Sequence, residues 1–71
     1  MSYSTKMKMA EIPEAVQAYA DAGFDPGAMR PLMDLLQQQT ETVQARFWKM
    51  ATAEAERRLD KAMTDLDSFI R

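Results

Sequence analysis

The carboxylates Glu54, Glu56, Asp60, Asp65 and Asp67 are the residues whose type and spacing come nearest to chemistry. Grouped on one helix face, such residues could bind a metal or share acid–base work. Arg57, Arg58 and Lys61 are interleaved with them, so the pattern describes a solvated face of mixed charge instead. Ser2, Ser4 and Ser68 are candidate nucleophiles, but a serine needs a neighbouring base. The chain has no histidine, which removes the usual general base and the commonest transition-metal ligand. It has no cysteine, so neither a disulfide nor a thiolate zinc site can form. No catalytic, cofactor-binding or metal-binding residue is expected, and the chain reads as a non-enzyme.

Recognition chemistry is better represented. Arg46-Phe47-Trp48-Lys49 places two large aromatics side by side, and neighbours on a helix differ in direction by about 100°. Both therefore cannot enter one narrow core, and Trp, Phe and Arg are typical interface anchors. In the competing reading Phe47 packs on a preceding helix while Trp48 flanks an exposed stripe. The 7 methionines suit either an irregular core or an adaptable surface. Met29, Met33 and Met50 read as core, whereas Met7 and Met9 could dock on a partner.

These residues need elements to position them. Seventy-one residues make one small domain, 1–71, whose core is marginal by itself. With disulfides and zinc closed off, oligomerisation or docking on a larger partner is the remaining source of stability. The net charge of −2 disfavours a dedicated nucleic-acid partner. The Met1 start shows no signal segment and no apolar run reaches the roughly 18 residues of a membrane span, so a soluble, cytoplasmic chain is expected.

The predicted fold is all-α: a helical hairpin with a short first helix and a long second helix, after a flexible or strand-like amino-terminal segment. In residues 1–11, Tyr3, Thr5, Met7 and Met9 alternate with Ser2, Ser4, Lys6 and Lys8, which suits an edge strand or, preferably, a loose tail. Residues 13–22 are predicted helical, with Pro13 at the first position, Ile12 held extended before it, and Ile12, Val16, Tyr19 and Ala20 on one face. Gly23 is the expected left-handed cap, with Phe24 folding back on Val16 or Tyr19. The turn spans 23–30, with one loose turn at Pro26–Arg30 and Asp25 capping it. From 31 to 70 strong helix formers run without a glycine or proline after Pro31. Glu54–Arg58 and Lys61–Asp65 are opposite charges at i,i+4. The Gln37-Gln38-Gln39-Thr40 run reads as a solvated face.

Along that long helix Met29, Leu32, Leu36, Val43, Phe47 and Met50 form one apolar stripe, which the short helix can cover. Trp48, Ala51, Ala55, Leu59, Ala62, Leu66 and Phe69 or Ile70 form a second, displaced by roughly 110°. Its predicted partner-binding residues are Phe47, Trp48, Ala51, Ala55, Leu59, Ala62, Leu66 and Ile70. Such an uncovered stripe marks a protein partner or a homo-oligomer. Neither stripe keeps a strict heptad, and the alanines favour an antiparallel or multi-helix assembly over a parallel zipper. The alternative is a break near Ala51-Thr52-Ala53, with Thr52 capping a third helix and the chain closing into a compact bundle.

The order of strand, proline-started helix, glycine turn and helix over Tyr3–Leu36 resembles the ribbon-helix-helix repressors and antitoxins. That resemblance implies a DNA-binding strand whose exposed side, here Ser4, Lys6 and Lys8, reads the major groove. The sequence departs from it in a short first helix, an overlong second helix and an acidic balance. The Ala-, Gln- and Met-rich style is similar to that of phasins, the granule-coating proteins, which implies adsorption to an apolar surface. Surface-lying helices carry a basic polar face, whereas this one mixes signs evenly.

Overall fold

The computed structural model describes residues 6–71. Among them the elements are a single 3-10 turn at Met9–Glu11, then α1 (Ile12–Asp21), α2 (Arg30–Gln37) and α3 (Glu41–Ile70). The fold is all-helical, and no strand occurs among the described residues. The strand alternative for residues 1–11 thus fails over 6–11; the rest of that segment lies outside the described residues. Nor is its described part a loose tail. Met7 is buried, and its backbone N–H donates to Gln39 Oε1 at 2.7 Å.

α1 begins one residue earlier than predicted. Ile12 is helical, with φ −59° and ψ −45°, although the residue before a proline is normally extended. Its side chain is completely buried, and that burial outweighs the local clash with the Pro13 ring. The helix buries Ile12, Val16, Tyr19 and Ala20 along one face, as the spacing requires. It ends in a Schellman motif. Phe24 N–H donates to Tyr19 O and Gly23 N–H to Ala20 O, each at 2.9 Å, with Gly23 at φ +76°. Phe24 is itself left-handed, at φ +58°, and its ring meets Tyr19 edge-on with centroids 5.6 Å apart. This contact compensates the strain of a bulky residue in that region. Asp25 Oδ1 then accepts from Gly27 N–H at 2.9 Å, which fixes the loose turn leading to α2.

The predicted 31–70 helix is in fact two helices. It breaks at 38–40, without a glycine or proline, because side chains take over the backbone bonds there. Gln39 Nε2 donates to Leu35 O and Gln44 Nε2 to Gln39 O, both at 2.9 Å. Thr40 is extended and its hydroxyl accepts from Val43 N–H, an N-cap that starts α3 with Glu41 in its first turn. Gln39 is therefore a buried joint, holding Met7 on one side and the end of α2 on the other, and not part of a solvated face. The alternative break at Ala51–Ala53 does not occur, since α3 runs through it.

α1 lies along the proximal half of α3, with α2 closing the end. Met7, Ile12, Val16, Tyr19, Leu36, Phe47 and Ala51 form the core, with Met29, Leu32, Val43 and Met50 packed around it. The first apolar stripe is thus covered, although the break shares it between α2 and α3. At 1.5 Å per residue the 30 residues of α3 reach about 45 Å, well past the end of α1. The molecule measures 60 × 22 × 15 Å, and every residue from Leu59 onward is exposed.

Candidate interaction surface on the distal half of α3

The last point where α1 holds α3 is Arg58. Its guanidinium donates to Glu54 Oε1 at 3.0 Å on its own helix and crosses to α1, reaching Asp21 Oδ1 at 3.0 Å and Ala20 O at 3.3 Å. A cation at the carbonyl end of α1 also complements that helix's dipole. Glu54 accepts in addition from Arg57 Nε at 3.0 Å. Hydrogen bonds from Arg57 and then Arg58 hold the Glu54 carboxyl down at about 2, from an ordinary 4.5. The Arg58 hydrogen bond, helped by Gln17, also lowers Asp21.

Both carboxyls bind protons less readily in the folded chain than in the unfolded one. Their contribution is therefore complete above about pH 4.5 and is lost as pH falls towards 2. The melting temperature should decline across that window in the parent and decline less in Glu54→Gln. Identical pH profiles for the two would show that the Glu54 carboxylate does not contribute to the stability of the fold.

Two more of the candidate carboxylates, Asp65 and Asp67, are paired along the helix. Lys61 Nζ meets Asp65 Oδ2 at 2.9 Å and Arg71 Nε meets Asp67 Oδ2 at 3.3 Å. Among the described residues no three His, Cys, Asp or Glu side chains gather where a metal ion could sit. The two expected i,i+4 pairs, Glu54–Arg58 and Lys61–Asp65, are both formed.

What the distal half of α3 presents is an apolar stripe. Leu59, Met63, Leu66, Phe69 and Ile70 are 58–87% exposed, and Trp48 at the proximal end is 42% exposed. Taking Leu59 as the reference direction, Trp48, Leu66 and Ile70 lie within about 20° of it and Ala55 and Met63 about 40° to either side. Ala62 and Phe69 border the stripe. Trp48 is anchored from behind, meeting Phe47 and Tyr19 edge-on at centroid separations of 5.0 and 5.8 Å. That contact holds its ring on the stripe with one side free. No helix of the described residues is long and apolar enough to cross a membrane. No family model, curated protein or solved structure matches this chain.

Of the predicted partner-binding residues, Leu59, Ala62, Leu66 and Ile70 are exposed together on this face, with Trp48 half-exposed and Ala55 partly buried. Phe47 and Ala51 are not available to a partner. Phe47 is 0% exposed and Ala51 3%, because α1 crosses α3 over them. Met63 was missed. Its signal lay in its spacing, four residues after Leu59, three before Leu66 and seven before Ile70.

Proposed function

We propose that this chain is a non-enzymatic helical interaction protein that docks the distal face of α3 on a protein partner. One observation carries the reading: an apolar stripe of six large side chains on a helix that leaves its own domain, with none of the described residues packed over its distal half. Scattered exposed leucines are ordinary, whereas a contiguous stripe of this size is not. The proximal domain serves as the base that nucleates and aims the helix. A protein partner is favoured over a lipid surface because Arg57, Arg58, Lys61 and Arg71 face Glu54, Glu56, Asp60, Asp65 and Asp67 on the polar side. Four cations against five anions leave no net attraction to anionic headgroups.

The test is a photoreactive amino acid placed in the full chain inside expressing cells. At position 66 it should yield adducts of one discrete mass. At position 68, on the opposite side of the helix, it should yield few. Equal and indiscriminate labelling at both positions would sink the docking reading.

A further inference from the structure

The pattern of side chains within the stripe identifies its occupant. We propose that a second copy of this chain covers it, the two distal α3 segments running antiparallel about a two-fold axis between Asp60 and Lys61. This rests on the docking reading and names its partner.

The first argument is size. Ala55, Leu59, Ala62, Leu66 and Phe69 are spaced alternately by four and three, which brings two helices together at a shallow crossing angle over this length. A parallel pair in register would stack alanine on alanine and leucine on leucine, so its layers would be alternately gaping and crowded. The antiparallel pair sets Leu59 against Ala62 of the second copy and Leu66 against its Ala55. Every such layer is then one large and one small residue, which fills space evenly. Thr52 likewise faces Phe69 of the second copy.

The second argument is charge. Arg58 and Asp65 flank the same edge of the stripe, one heptad apart. The two-fold axis places Arg58 opposite Asp65 of the second copy, and the relation occurs twice, as an isologous interface demands. A parallel pair would instead set both against the apolar edge at Met63 and Ile70. Both residues have partners in their own chain, Arg58 with Glu54, Asp21 and Ala20 O and Asp65 with Lys61, and the pair across the axis extends these networks through the 36% of the Arg58 side chain and 64% of the Asp65 side chain that stay exposed. The third argument is area. Leu59, Met63, Leu66, Phe69 and Ile70, all inside the overlap, expose roughly 700 Å² between them, close to what each side of a specific dimer contributes.

The cysteine-free chain makes orientation measurable, because Lys49→Cys supplies the only thiol for a nitroxide label. Sedimentation equilibrium on the full chain should show a dimer. Dipolar electron resonance should place the two labels about 35 Å apart along the axis, whereas a parallel pair would bring them to about 10–15 Å. Labels at Asp60→Cys should lie within about 10–15 Å, fixing the centre of the overlap. Asp65→Lys should weaken the dimer several-fold and Asp67→Lys, on the other side of the helix, should not. A dimer with close Lys49→Cys labels, or one indifferent to Asp65→Lys, would overturn the antiparallel arrangement. A monomer at every concentration would overturn the second copy as partner. The docking reading would survive that result if position 66 still cross-linked one protein of another mass, and would fall if it did not.

Discussion

Phe47→Ala is expected to destabilise the fold severely. Phe47 is fully buried at the crossing of α1 and α3, with its ring 5.8 Å from Tyr19 and 5.0 Å from Trp48. Truncating a buried phenylalanine costs about 3–5 kcal/mol. A domain of this size is stable by only about 4–10 kcal/mol. The loss therefore removes a large share of what holds α1 to α3, and α1 is too short to persist as an isolated helix. Circular dichroism should show a melting transition shifted far down, by tens of degrees. Trp48→Ala, next in sequence but half-exposed, should cost distinctly less and leave a cooperative melt. Equal effects from the two would mean that the core does not lie where α1 crosses. This prediction concerns the domain alone, so it should hold in Leu66→Asp, where the apolar stripe is interrupted by a charge.

The contrast between these adjacent aromatics also shows what a sequence can and cannot disclose. Local chemistry was legible. Gly23 and Phe24 form the left-handed ending that a glycine after an apolar face announces, and Glu54–Arg58 and Lys61–Asp65 pair at helical spacing. The exposed distal stripe was legible too, because it depends only on the period of α3. Phe47 and Ala51 were misplaced because they lie between the two stripes, and which stripe claims them depends on where α1 crosses. The break at 38–40 is not legible in the sequence because no glycine or proline marks it. It is made by the Gln39 and Gln44 amides and the Thr40 hydroxyl, which replace backbone bonds. Ser, Thr, Asn and Asp are recognised competitors of the helix backbone, but glutamine ordinarily is not. The docking of Met7 on Gln39 is a contact across 32 residues, beyond any local pattern.

Deleting residues 59–71 should abolish association completely while leaving the domain folded. Every residue removed is exposed, and the last cross-helix bonds, from Arg58 to Ala20 and Asp21, stay in the shortened chain. Among the described residues, no buried apolar contact of the core is lost. The removed segment is itself near the roughly 12–15 residues below which an isolated helix is marginal in water. It is helical as an extension of a helix already nucleated on the domain, and its amides should exchange with solvent faster than those of α1 unless the stripe is covered. The shortened chain should therefore sediment as a monomer at all concentrations. Its near-ultraviolet signal from Tyr19 and Trp48 should survive, with a melting temperature close to that of full-length Leu66→Asp measured as a monomer. A shortened chain that lost the aromatic signal would show that the domain depends on its distal helix. In that case the stripe would be completing a core shared between copies, and association and folding would be one event instead of two.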